Sequence, residues 1–215
     1  MIKAIIFDMD GVLVDAKQWH FEALNTALEL FGYRISQFEH HQRFDGLPTR
    51  EKLRILAKEN GFPHTLSDFV NEMKQHCLLE TAERLCQPNP VHLETLETLR
   101  TEGYDLALAS NSIRRSVDRL MQLTSLNSLL SFTLSNEDVS QPKPSPEIYT
   151  LAIKRLGVFP NECLVVEDGD YGVAAAKAAG ANVLRVETVR DVNYNNVRNR
   201  IEEIKREAGP KTSVA

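Results

Sequence analysis

The segment Ile2-Lys-Ala-Ile-Ile-Phe-Asp8-Met-Asp10-Gly11-Val-Leu-Val-Asp15 is an apolar run that stops at two carboxylates spaced i, i+2, with a glycine directly behind them. An Ile/Phe-rich run of this length, closed by a turn signal, reads as a buried strand of a parallel sheet. Residues i and i+2 of an extended chain point the same way, so Asp8 and Asp10 are expected to converge at the carboxyl end of that strand. Open α/β sheets bind ligands at that end. Two carboxylates held together there repel unless a cation or a proton relieves them. Taken alone, the segment also fits an exposed acidic turn.

Three later segments repeat the design. Asp105-Leu-Ala-Leu-Ala-Ser110-Asn111-Ser112 is an apolar run ending in hydroxyl and amide residues before a helical stretch. Gln141-Pro-Lys143-Pro-Ser145-Pro146 sets a lysine between prolines that restrict the backbone. Leu164-Val-Val-Glu167-Asp168-Gly169-Asp170 is another apolar run ending in carboxylates. Strands are expected near 104–110, 130–134, 163–167 and 182–186, with helices near 91–102, 113–123, 146–157 and 170–179. This alternation implies a doubly wound parallel sheet, an α/β Rossmann-like core.

The alternation breaks once. From about 16 to 87 the periodicity is helical, with Phe21, Leu24, Leu28 and Phe31 before Gly32, Leu53, Leu56 and Ala57 before Asn60-Gly61, and a third run over 67–85. The expected organisation is therefore a core of residues 1–15 and 88–209, a helical cap inserted at 16–87, and a frayed tail at 210–215. Lys plus Arg number 25 against 30 Asp plus Glu, a net charge of −5 that leaves no footprint for nucleic acid. The three cysteines are not in metal-ligand spacing, and no stretch is long and apolar enough for a membrane span. These features predict a soluble cytoplasmic protein with reduced thiols, expected to act as a monomer.

Paired aspartates, a serine, a lysine and a second acidic pair, in that order at strand ends, resemble the haloacid dehalogenase superfamily of phosphotransferases. The likeness runs from Ile2 to about Val186 and is greatest to the branch that holds β-phosphoglucomutase and small sugar-phosphate phosphatases. The resemblance implies that Asp8 is a nucleophile forming an aspartyl-phosphate and that Asp10 is the general acid and base. Ser110, Asn111 and Lys143 would bind the phosphoryl oxygens, with Lys143 also neutralising transition-state charge. Asp8, Asp10, Glu167 and Asp168 would surround Mg²⁺, with Glu167 either a ligand or a second-sphere partner. In the cap, His20, Gly46, Arg50 and Lys74 match substrate-facing positions of the mutase branch. Arg50 equally fits a solvated first helical turn, His20 a structural histidine, and Asp170 a helix cap. Ala16, Leu24 and the run Gln75-His76-Cys77-Leu78 depart from the mutase pattern, and Gly169 replaces a serine common in that branch.

The implied activity is Mg²⁺-dependent hydrolysis of a small phosphorylated metabolite, a sugar or polyol phosphate. The alternative is a β-phosphoglucomutase-type phosphotransferase that isomerises a hexose phosphate. Dehalogenases and phosphonate hydrolases of this superfamily typically lack an acid at the place of Asp10. A non-catalytic regulatory protein would be expected to have lost one of Asp8, Asp10, Lys143 or Asp168.

Overall fold

The computed structural model describes residues 1–207 and 209; the tail assigned to 210–215 lies outside the described residues. Five parallel strands, β1 (Ala4–Phe7), β2 (Asp105–Ala109), β3 (Phe132–Leu134), β4 (Cys163–Glu167) and β5 (Asn182–Arg185), form one sheet in the order β3-β2-β1-β4-β5. The strand that carries the aspartates is thus central, and its neighbours carry Ser110 and Glu167. Each expected strand forms, β4 with the expected bounds and the others with ends within two residues of them.

Side-chain parity sorts the strand residues into two cores. Ile5 and Phe7 of β1, Leu106 and Leu108 of β2, and Leu164 and Val166 of β4 belong to one apolar cluster. Their neighbours Ala4, Ile6, Ala107, Ala109, Cys163 and Val165 face the other. The first cluster is closed by α5 (Pro90–Thr101), α6 (Arg114–Leu123) and α9 (Tyr194–Glu207), through Leu96, Leu99, Val117, Leu120, Val197 and Ile201. The second is closed by α7 (Glu147–Leu156) and α8 (Asp170–Ala178), through Ile148, Ala152, Ala175 and Ala176. Both faces of the sheet are covered, which is why its strands read as continuous apolar runs instead of alternating ones. Burying a side chain such as Phe7 contributes about 1.5–3 kcal/mol.

The helical block between β1 and α5 contains α1 (Lys17–Glu29), a short α2 (Gln37–Glu39) that runs into a π-turn over His40–Phe44, α3 (Thr49–Asn60) and α4 (Ser67–Leu85). It has its own apolar cluster of Leu24, Leu28, Ile35, Phe44, Leu53, Leu56, Phe62 and Val70. The last turn of α4 and the residue after it pack on the core: Ala82 and Cys86 are buried in its cluster. Gln75 of α4 also accepts a hydrogen bond from Ser116 Oγ of α6 at 3.0 Å. The π-turn was not anticipated, because no sequence period distinguishes it from an α-helical turn. Among the described residues no helix is long and apolar enough to cross a membrane.

Candidate active site

The carboxyl ends of β1, β2 and β4 meet the long loop between β3 and α7, and they bring the core residues expected from sequence into one site. Asp8 follows the last residue of β1 and is tied to the sheet by its N–H, which donates to Val166 O at 3.0 Å. Lys143, only 3% exposed, donates from Nζ to Asp8 Oδ1 at 2.6 Å, to Glu167 Oε1 at 2.7 Å and to Ala109 O at 2.9 Å. Three acceptors around a three-donor ammonium leave it no freedom. Its loop is equally fixed: Ser140 and Gln141 donate to the Glu147 carboxylate, and Lys143 N donates to Asn111 Oδ1 at 3.0 Å.

Asn111, expected to hold phosphate, is used differently. Its amide donates to Gly46 O at 2.9 Å and to Lys143 O at 3.3 Å, so the side chain braces the lysine loop and the Gly46 turn. Ser110 is 1% exposed, and its hydroxyl accepts from Ser112 N at 3.0 Å, which leaves its own O–H free to donate toward a ligand.

Asp8, Glu167 and Asp168 each offer a carboxylate oxygen within 4.8 Å of the others. The Asp10 carboxylate is outside this group. It instead faces His20 Nε2 at 3.1 Å and accepts from Ser112 Oγ at 2.7 Å. Both oxygens of Glu167 are engaged. Oε1 accepts from Lys143 and from Tyr149 Oη at 2.7 Å, and Oε2 from the backbone N–H groups of Asp168 at 3.0 Å and Gly169 at 3.3 Å. Asp168 Oδ2 is buried with no hydrogen bond of good geometry, although the Lys17 ammonium lies 2.5 Å away.

Burial pushes the Asp8 carboxyl well up, Lys143 opposes this, and Glu167, Asp168 and Asp10 add to the rise. Asp168 is raised by burial and by Glu167, against the pull of Lys17. Three crowded carboxylates against two ammoniums, Lys143 and Lys17, form an oxygen-only cradle still short of positive charge. Such a donor set fits a hard divalent cation such as Mg²⁺.

Two glycines keep this space open. Gly11 has φ +94°, and a Cβ there would lie 2.0 Å from Asp168 Oδ2. A Cβ on Gly172 would fall 1.7 Å from Glu167 Oε1. Gly172→Ala is therefore expected to displace Glu167, and with it Lys143. A misplacement of about 1 Å costs about 100-fold in turnover. Steady-state kinetics beside a circular dichroism spectrum would check this; unchanged kcat would show that Glu167 tolerates the shift.

From the helical block, Lys74 Nζ lies 2.8 Å from His20 Nδ1, and His20 Nε2 faces Asp10. An ammonium only donates, so His20 Nδ1 must accept, and the proton of a neutral ring sits on Nε2, pointing at Asp10. Burial lowers the His20 pKa, and Lys74 lowers it further against Asp10. Burial raises the Asp10 carboxyl, but His20, Ser112 and Lys74 outweigh it and hold the group below the usual carboxylate range. Asp10 thus stands as a carboxylate gripped from both sides.

Gly46 and Arg50 line the same cavity, and both are exposed. The cavity measures about 790 Å³ and opens between the helical block and the strand ends. Asp170 does not cap α8; it lines the cavity as an exposed residue and pairs with Arg185 at 2.8 Å.

Sequence reasoning did not single out Lys17, Lys52, Ser112 or Tyr149. Ser112 sat inside the quoted Ser-Asn-Ser run and was read only as a helix start. Tyr149 is one turn into α7 behind Lys143, and its hydroxyl reaches Glu167 while its ring lies 4.7 Å from Lys143 Nζ. No spacing rule exposes such a contact across 18 residues.

Comparison with known proteins agrees with this geometry. A phosphorylated carbohydrates phosphatase from Thermotoga maritima is 35% identical over 182 residues, covering 83% of this chain and 82% of its own. The fructose-1-phosphate phosphatase of Escherichia coli is 26% identical over 185 residues, covering 85% and 95%. The crystal structure of β-phosphoglucomutase from Clostridium difficile shares the fold, with a TM-score of 0.82 over 96% of this chain and 100% of that one, at 21% identity. The family model for haloacid dehalogenase-like hydrolases matches residues 5–186, more than half of the chain, and the protein belongs to that family.

Proposed function

We propose that this enzyme hydrolyses the monoester of a small phosphorylated sugar or polyol through an aspartyl-phosphate on Asp8, and that residues 16–87 act as its cap. The observation that carries this reading is the convergence of Asp8, Lys143, Glu167 and Asp168 at the carboxyl ends of the central strands, beside an Asp10 held from the helical block. Relatives named as phosphatases of phosphorylated carbohydrates and of fructose 1-phosphate support the substrate class.

Asp8 attacks the phosphorus through the oxygen not held by Lys143. The ester P–O bond breaks, and the leaving oxygen takes a proton from Asp10. The incoming phosphate dianion favours that protonated form of Asp10. Departure of the alcohol leaves Asp10 as the carboxylate seen here, hydrogen-bonded by His20 and Ser112. In this form it takes a proton from the water that opens the Asp8 phosphate, which restores the acid for the next ester. The Ser110 hydroxyl donates to a phosphoryl oxygen, and Lys143, its three donors committed, neutralises charge from beside Asp8. Asp8 and Asp168 would hold Mg²⁺ directly, and Glu167, with both oxygens committed, would fix Lys143 and Asp168 from behind. The ion would supply charge neutralisation at the phosphoryl oxygens.

The experiment is phosphate release from a panel of sugar, polyol and nucleotide monophosphates, with Mg²⁺ and with chelator. The expected result is release from sugar or polyol esters that chelator abolishes and Mg²⁺ restores. Release unaffected by chelator would overturn the metal assignment. No release, but isomerisation of β-glucose 1-phosphate after bisphosphate priming, would replace the phosphatase reading with the mutase one.

A further inference from the structure

On the cap wall of the cavity the structure carries a charge that phosphate hydrolysis does not use. Lys52 in the first turn of α3 is 6% exposed, although it sits in the stretch that also buries Leu53 and Leu56. Lys52 lines the cavity, and its Nζ has His40 Nε2 of the π-turn 3.4 Å away. Lys74 lines the same wall and is 3% exposed. Among the described residues no carboxylate comes within salt-bridge reach of either lysine. Asp45 and Asp10 act on Lys52 only at longer range, and the acids Glu72 and Glu137 on the cavity wall are exposed.

Burial lowers Lys52 to about 8. It lowers Lys74 to about 7, with Lys52 adding to the shift. A buried amine without a counter-ion is costly, and a second beside it adds repulsion. An anion placed between them relieves both costs. The transferring phosphate is already provided for on the opposite wall by Lys143 and Ser110. Lys74 is in addition committed to His20, which leaves Lys52 as the principal anchor.

We propose that Lys52, supported by His40 and Lys74, binds a second anionic group on the substrate, so that the preferred ester bears a carboxylate or a second phosphate at its far end. This inference rests on the phosphatase reading and narrows its substrate class.

The test compares kcat/KM for two matched pairs: glucose 6-phosphate against 6-phosphogluconate, and fructose 1-phosphate against fructose 1,6-bisphosphate. The doubly anionic member of at least one pair is expected to lead by about 30-fold or more, mostly through KM. The pair with the larger ratio tells a carboxylate from a phosphate. Lys52→Met should collapse that ratio, and Lys52→Arg should retain much of it. Ratios near one in the wild-type protein, or a ratio untouched by Lys52→Met, would overturn the proposal; the wild-type ratio decides even if the variant does not fold. If no compound releases phosphate, the four are titrated calorimetrically into the Asp8→Asn protein. Tighter binding of a doubly anionic member then upholds the anchor while the phosphatase reading falls, and equal binding removes the anchor.

Discussion

Replacing Asp8 with asparagine is expected to abolish phosphate release and to raise the melting temperature of the metal-free protein. On the proposed mechanism, the catalytic loss follows from removing the atom that would take the phosphoryl group. Losing a nucleophile costs about 10⁴-fold or more, because neighbouring donors then have no covalent step to assist. The stability gain follows from burial. Asp8 lies among Glu167, Asp168 and Asp10, and burial followed by these charges raises its pKa against the pull of Lys143. A carboxyl raised above its unfolded value of about 3.9 binds more protons in the folded state. Its contribution is favourable at low pH and is lost as pH rises past the unfolded value toward the folded one. Asparagine carries no such charge, and its Oδ1 can still accept from Lys143. The gap in melting temperature between variant and wild type should therefore open as pH rises above about 4, at about 2–4 °C per kcal/mol. Mg²⁺ should close the gap by stabilising the wild type more than the variant. Thermal melts at pH 4 and pH 7.5, with and without Mg²⁺, would check this beside the phosphate assay. Wild-type turnover in the variant would remove Asp8 from the mechanism, and a lower melting temperature at pH 7.5 would show that its bond to Lys143 outweighs the crowding.

The core of this site was legible because strand ends encode it twice. Apolar runs announce β1, β2 and β4, and the residue after each run is placed by the sheet, whatever the loops do. Asp8, Ser110, Glu167 and Asp168 come together for that reason. Lys143 was legible through its prolines, although what fixes it is a set of acceptors supplied by Asn111, Glu147, Asp8 and Glu167 that no local pattern announces.

The helical block between β1 and α5 was legible only as helix. Its periodicity gave α1, α3 and α4, but which face turns inward depends on how those helices cross, and crossing angles are set by packing ridges that sequence periods do not fix. Lys52 shows the limit. At the start of α3, among Thr49, Arg50, Glu51 and Arg54, it reads as one more solvated charge, yet it is buried and Arg50 is exposed. Glu167 and Asn111 stand out in the sequence as polar residues at strand ends, while their partners in the fold have each bracing a neighbour.

Removing Lys143 should produce the largest loss of stability of any single change at this site. Its ammonium is enclosed by Asp8, Glu167 and Ala109 O, and its own pKa, lowered by burial, is carried upward overall by Asp8 and Glu167. Lys143→Met keeps the stem and deletes the charge, so the defect is electrostatic and not a cavity. Asp8, Glu167 and Asp168 would then lie together with no buried cation among them. Stranding a buried charge by removing its partner costs about 3–5 kcal/mol. For a chain of this size that is a fall of about 10 °C in melting temperature. Turnover should fall with it, by about 10³-fold, because on the proposed mechanism the ammonium neutralises charge beside the phosphoryl group. The deficit has two expected remedies. Mild acid should recover stability by protonating Asp8, whose pKa is already raised, and Mg²⁺ should recover stability by replacing part of the lost charge. Neither should restore turnover, since a cation bound between Asp8 and Asp168 would not also stand where the lysine stood between Asp8 and Glu167. Melts of Lys143→Met across pH 5 to 8, with and without Mg²⁺, would separate these effects. A variant as stable as wild type at every pH would mean that the carboxylates escape to solvent, and that the enclosure seen around Lys143 is not what holds them.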